Sequence, residues 1–197
     1  MTGVSVTFED QVRPVLNRLL AAGRNPRPLL LGLARIGENQ TRERFKTEID
    51  PTGQHWDPSR RASDKGGKTL TGNGILAGSI TSDATIEYAE WGTNMEYAAI
   101  HQFGGVIRPV RAKFLAVPIT DAARTVPGPR YFPGHLTVAQ SLKGQWMLLD
   151  PDTGEVHYLL KKSVEIPARA FLGLSTQNRD EMLTWMNKKL TRLMEAA

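Results

Sequence analysis

Glycine and proline decide which elements this chain can form. Its 197 residues include 18 Gly and 12 Pro, and most fall between residues 50 and 175. They mark breaks at Asp50-Pro51-Thr52-Gly53, Thr71-Gly72-Asn73-Gly74, Gly104-Gly105, the run from Val126 to Gly134, and Asp150-Pro151-Asp152-Thr153-Gly154. Asp caps a turn, Pro presets its dihedral and Gly accepts a positive one, so each cluster is a turn with a mechanism. Long helices are left to the two ends. Phe8, Val12, Val15, Leu16, Leu19 and Leu20 predict a first helix that Pro14 starts or kinks. Gly23 to Pro26 would end it, and Pro28 would open a second helix over Leu29–Glu48, with Leu29, Leu33, Ile36 and Phe45 inward and the two helices antiparallel. Met182, Met186, Leu190 and Leu193 stripe a closing helix over Gln177–Met194.

Between these ends the pattern favours strands. Ile75–Thr81 fits either helix or strand, and Thr85–Trp91 alternates Ile86 and Tyr88 with Thr85 and Glu87, as a half-buried strand does. Met95–Phe103 predicts a short helix, and Phe114–Ile119 a strand. Gln145–Leu149 and Glu155–Leu160 flank a hairpin turn, with Trp146 and Leu148 expected to face Val156 and Tyr158. Val164–Phe171 is extended around Pro167. The expected fold is α+β: one domain over 1–197, a central antiparallel sheet with N-terminal helices and a C-terminal helix, and long loop or hairpin insertions. Residues from about 50 to 70 form an exposed polar arm with Trp56 as its heavy anchor, to be ordered by a neighbouring molecule.

Composition removes several function classes. The absence of Cys excludes disulfides, thiolate metal sites and a cysteine nucleophile. The longest apolar run, Leu29–Leu33, is far shorter than a membrane span, and the start lacks the pattern of a signal peptide, so a cytoplasmic site of synthesis is expected. A net charge of +5 invites a nucleic-acid reading. However, Arg35, Glu38, Arg42, Glu43, Lys46 and Glu48 interleave as on a solvated helix. The local basic knot is Arg60, Arg61, Lys65 and Lys68.

No arrangement for catalysis stands out. Lys65-Gly66-Gly67-Lys68-Thr69 has the tail of a phosphate-binding loop, but Ala62 occupies the place of its first glycine. His55, His101, His135 and His157 lie in four separate segments, so no metal site is expected. His157 is expected to point outward, and His101 to satisfy the last carbonyls of its helix. Ser79 has no nucleophile elbow, and the pairs Glu87/Glu90 and Asp150/Asp152 fall on a strand rim and a turn. The expectation is a protein that is not an enzyme and takes no cofactor.

Two segments look constrained for structural reasons. In Tyr97-Ala98-Ala99-Ile100-His101-Gln102-Phe103-Gly104, small residues permit close approach, Phe103 offers a large area to bury and Gly104 ends the helix. In Pro167-Ala168-Arg169-Ala170-Phe171-Leu172-Gly173, a guanidinium between alanines must find an acceptor, within the chain or across an interface.

With Asp50-Pro51-x-Gly53-x-x-Trp56-x-Pro58 and Leu70-Thr71-Gly72 leading to Leu76-x-x-Ser79-Ile80, these segments run in an order that resembles the phage virion morphogenesis family of Mu-like phages, which includes tail completion proteins. The resemblance spans nearly the whole chain, with a longer insertion at about 106–165 than short members carry. It implies a virion protein of the neck or head-proximal tail end that forms a sixfold homo-oligomeric ring. Its partners would be tail terminator or tail tube proteins and head–tail connector proteins, with non-specific contact to DNA in the channel and none to membrane. Trp56, Arg60, Arg61, Lys65, Lys68, Tyr131, Phe132 and Arg169 are the candidate intersubunit or inter-ring contacts. Tyr97, His101, Gln102, Phe103, Gly104, Pro167, Phe171 and Gly173 are the family-motif positions. The alternatives are a basic DNA-binding module using Arg60, Arg61, Lys65 and Lys68, or a capsid assembly factor absent from the mature particle.

Overall fold

The computed structural model describes residues 4–8 and 25–195. Its elements in chain order are β1 (Val4–Phe8), α1 (Arg27–Thr47), α2 (Arg60–Lys65), α3 (Ile75–Gly78), β2 (Thr81–Ala84), β3 (Ala89–Thr93), α4 (Ala98–Phe103), β4 (Gly105–Ile107), β5 (Leu115–Pro118), α5 (Asp121–Arg124), β6 (Thr137–Gln140), β7 (Trp146–Leu149), β8 (Val156–Lys161), β9 (Val164–Ile166) and α6 (Thr176–Glu195). The α+β class is as expected. The chain forms two compact units, one from Met1–Gly104 with Pro167–Ala197 and one from Gly105–Ile166.

In the first unit, β3 lies between β1 and β2 in an antiparallel sheet. Helix α1 packs on β2 and β3 and against α6. The expected first helix is corrected at Phe8, which closes β1, and the rest of it lies outside the described residues. The alternation of Val4, Val6 and Phe8 with Ser5 and Thr7 is the period-two signal behind that strand. The strand expected at Thr85–Trp91 begins four residues later, because Thr85 Oγ1 accepts from the N–H groups of Glu87 and Tyr88 and closes a turn.

Helix α1 starts with Pro28 in its first turn and ends where Glu48 turns left-handed at φ 58°. Its buried stripe includes Leu30, Leu33, Ala34, Gly37, Thr41 and Phe45. Two glycines let indole rings lie against the helix: a Cβ on Gly32 would stand 2.0 Å from Trp185, and one on Gly37 2.5 Å from Trp91. The Trp91 indole N–H then donates to Thr41 Oγ1 at 3.1 Å. Met182 and Met186 carry the α6 stripe into the core, with Leu190 half-buried against it, whereas the side chain of Leu193 lies outside the described set.

The second unit holds a four-stranded antiparallel sheet, β5-β8-β7-β6, and the pair β4-β9. The expected single central sheet is therefore three sheets. The hairpin at Asp150–Gly154 forms, and Leu148 lies opposite Tyr158. The antiparallel register, with Met147 opposite Leu159, runs Trp146 away from Val156, and a shift at Leu148/Leu149 puts Leu149 opposite Val156. His157 is buried, contrary to expectation: its Nδ1 pairs with Thr120 Oγ1 at 2.9 Å, and Phe132 covers its ring at 4.4 Å.

Candidate interaction site

Residues 169–172 form a buried strap with no strand partner along its core-facing length. Buried backbone polar groups must be paired, so the strap depends on other segments. The Arg169 N–H donates to the His101 carbonyl at 2.7 Å. Gln102 then acts as a stand-in strand: its Oε1 accepts from Phe171 N–H at 3.0 Å and Leu172 N–H at 2.9 Å, and its Nε2 donates to the Leu172 carbonyl at 2.9 Å. Trp56 Nε1 donates to the Ala170 carbonyl at 3.0 Å, and Arg44 Nη1 to the Phe171 carbonyl at 3.0 Å. The other Arg44 nitrogen reaches Asn178 Oδ1 at the start of α6. Phe45, Trp56 and Phe171 close the rings around the strap, with Phe45 centroids at 5.7 Å from Trp56 and 5.2 Å from Phe171.

The two motif segments noted in the sequence thus meet each other. Gly173, with φ 142°, sits where a Cβ would come within 2.7 Å of Pro51, which brings the Asp50–Gly53 turn into the same assembly. In that turn Asp50 accepts from Thr52 and Gln54; burial raises its carboxyl pKa, but these hydrogen bonds outweigh it and hold the value low. Arg44 was not among the candidates. It is buried on the apolar stripe of α1, and desolvation pulls its pKa down while Asp50 partly restores it.

Electrostatics around His101 follow from the same packing. Its ring stands edge-on to Tyr97 at 6.1 Å, and its Nδ1 is buried without a hydrogen-bond partner. It does not serve the helix carbonyls as expected. Burial, then the positive charge of Arg169, lowers its pKa and favours the neutral imidazole.

The arm at 50–70 is held by its own chain. Trp56 and Thr69 are buried, Thr69 Oγ1 accepts from Ser59 N–H at 3.1 Å, and Thr69 N–H donates to Glu48. Lys68 reaches the Lys46 carbonyl, Arg61 reaches the Lys68 carbonyl and Arg60 pairs with Asp64 at 3.3 Å. Lys65 ends α2 and is likewise engaged. Arg60, Arg61 and Lys68 of the basic knot are thus already bonded within the unit. Arg169 is similarly internal: its Nε donates to the Asp57 carbonyl at 2.7 Å, and burial lowers its pKa against the opposing effect of Asp57. Order in this arm therefore needs no neighbour.

Phe103 reverses its expectation. It is 70 % exposed, because Ala98 and Gln102 are the buried residues of α4, while Tyr97 is 43 % exposed. Helical geometry puts Gln102 inward and its neighbour Phe103 out. In the second unit Tyr131 is 64 % exposed, while Phe132 is half-buried against His157 and Tyr158.

Comparison with known proteins supports the family resemblance. A model of the phage virion morphogenesis family matches residues 9–129, more than half of the chain, and the chain belongs to that family. Mu-like prophage FluMu G protein 2 of Haemophilus influenzae is 30% identical over 118 residues, covering 60% of this chain and 80% of that protein. No solved structure matches.

Proposed function

We propose that this chain is a structural component of the phage virion, placed at the neck or the head-proximal end of the tail, where it completes the tail and joins it to the head as a ring. Family membership over residues 9–129 carries this reading, and the Mu-like prophage relative supports it. The chain acts by shape and repeated contact, without making or breaking covalent bonds. A ring repeats one heterologous contact around its axis, so each copy needs two different complementary faces. Phe103 is the best candidate on one of them: a large apolar side chain standing 70 % exposed beside the anchored Gln102.

Complementation tests the proposal. Phage lacking the gene should accumulate filled heads and free tails by electron microscopy, and mass spectrometry should find the protein in purified wild-type particles. Phe103→Ser should leave the melting temperature of the isolated protein within about 2 °C, a change of about 0.5 kcal/mol for a surface site, yet reduce the yield of joined particles. Normal particles without the gene would refute the reading. Absence of the protein from finished particles would replace a virion component with an assembly factor.

A further inference from the structure

We infer that one end of the second unit is a binding surface for the phosphate backbone of duplex DNA, separate from the basic knot at 60–68. It rests on the virion reading only in taking duplex DNA as the polyanion. The strand register assembles the surface. Leu115 pairs with Lys161, so the start of β5, with Arg111 and Lys113 just before it, lies beside the end of β8, with Lys161 and Lys162. Gln140 pairs with Trp146, which puts the β6–β7 turn and Lys143 at that same end. Ile107 pairs with Val164, so Arg108 leaves β4 next to the short link that carries Lys162.

Six cations from separate segments, all exposed, therefore share one end of the unit: Arg108, Arg111, Lys113, Lys143, Lys161 and Lys162. None has a carboxylate partner among the described residues. The unit has 8 Lys+Arg and 5 Asp+Glu over residues 105–166; four of those acids, Asp121, Asp150, Asp152 and Glu155, lie at the opposite end of the sheet, and the fifth, Glu165, lies on β9 opposite Val106 and makes no ion pair with the six cations. Like charges gathered without counter-ions repel one another, so the arrangement favours an external polyanion. Phe114 and Trp146, with ring centroids 6.2 Å apart, form a firm floor at this end.

Two competing occupants fit less well. A second copy would present the acidic end, but three of its four carboxylates are already engaged: Asp150 accepts from the N–H groups of Asp152 and Thr153, Glu155 approaches His157 at 3.9 Å and Asp121 pairs with Arg124 at 3.5 Å. A membrane surface calls for a continuous apolar face, whereas the exposed apolar residues of this end, Ile107, Val110, Leu142 and Trp146, each neighbour a polar residue in sequence, namely Arg108, Arg111, Lys143 and Gln145. The four strands span about 14 Å at ~4.8 Å per strand, facing about four phosphates of one DNA strand at ~3.4 Å each. No helix of this unit stands at this end to enter a groove, so binding is to the backbone and independent of sequence.

Fluorescence anisotropy of the purified full chain with a mixed-sequence duplex of about 20 base pairs tests this. With about four phosphates neutralised, affinity should fall about 10²-fold between 50 and 200 mM salt. Lys161→Gln with Lys162→Gln should reduce the logarithmic salt slope by about 2, while Arg35→Gln with Lys188→Gln should leave it unchanged. Equal losses in both double variants, or no salt-dependent binding, would overturn the inference. So would a Lys161/Lys162 variant that keeps duplex affinity but loses self-association in sedimentation or binding to phosphatidylglycerol vesicles. This readout is independent of particle formation, so its failure leaves the virion reading to the complementation test.

Discussion

Replacing Gln102 with leucine keeps the volume of the side chain and removes three hydrogen bonds to the strap at once. The groups left behind are the N–H of Phe171, the N–H of Leu172 and the Leu172 carbonyl, on residues only 0% and 2% exposed. Each buried polar group without a partner costs about 1–3 kcal/mol. Some relaxation towards water is expected, so the total should be about 3–6 kcal/mol, a large share of the stability of a domain this size. At about 2–4 °C per kcal/mol, the melting temperature should fall roughly 6–24 °C. Gln102→Glu keeps both accepted N–H bonds but sets an anionic oxygen against the Leu172 carbonyl in a buried site, so its loss should ease at low pH, where the protonated carboxyl can donate to that carbonyl. Urea unfolding followed by tryptophan fluorescence gives the free energies, and hydrogen exchange at the Phe171 and Leu172 amides localises the change. A loss below about 1 kcal/mol in Gln102→Leu with unchanged amide protection would show that other groups hold the strap, and the argument built on Gln102 would be wrong.

Other perturbations test the packing and the charge balance. Gly32→Ala puts a methyl group within 2.0 Å of the Trp185 ring and should cost about 1–3 kcal/mol, with much of the loss recovered in the double variant with Trp185→Leu; denaturation of the four proteins of this cycle checks it. His101 has a folded pKa below its ordinary 6.5, so below that pH the unfolded chain binds a proton that the folded chain refuses, and stability must fall on acidification. His101→Phe should flatten the drop between pH 7.5 and 5.5, read as urea midpoints against the parent protein.

Much of the scaffold could be read from pattern, and the misses share a physical origin. The stripes of α1 and α6 and the turn at Asp150–Gly154 are local signals, and each formed where the residues placed it. Arg44 was hidden because a single cation on an apolar stripe reads as a solvated residue, although its position after Leu30, Leu33, Gly37 and Thr41 pointed inward. Arg169 stands out in the sequence as unusual and Gln102 only as part of its motif, and their acceptors lie far away in sequence, at Asp57 and Leu172. The size of Phe103 alone predicts burial, but it stands exposed. The phase of α4 is set by Ala98 and Gln102, and a six-residue helix is too short for periodicity to reveal it. The basic end of the second unit was invisible for a related reason: its cations are scattered along the sequence from 108 to 162, and only strand register gathers them.

The position of the second unit in the chain carries one more consequence. It begins directly after Gly104 and ends directly before Pro167, between the two motifs that meet in the first unit. Its two chain ends are already clasped: β4 and β9 pair from Gly105↔Ile166 to Ile107↔Val164, and the Arg169 N–H to His101 carbonyl bond lies just beyond. A segment entered through such a neck can change length at little cost to the rest of the chain, because closure entropy grows only by about 0.6 kcal/mol per doubling of the loop. Residues 108–163 should therefore be replaceable by a turn of about two to four residues built on Asn-Gly, which suits an antiparallel pair with ends directly opposed. The shortened chain should remain folded and keep the slow exchange of the Phe171 and Leu172 amides, while losing the salt-dependent duplex binding assigned to the excised cations. An unfolded product, or rapid exchange at those amides, would mean that the strap depends on the second unit. The neck would then be a shared structural element rather than a neutral point of entry.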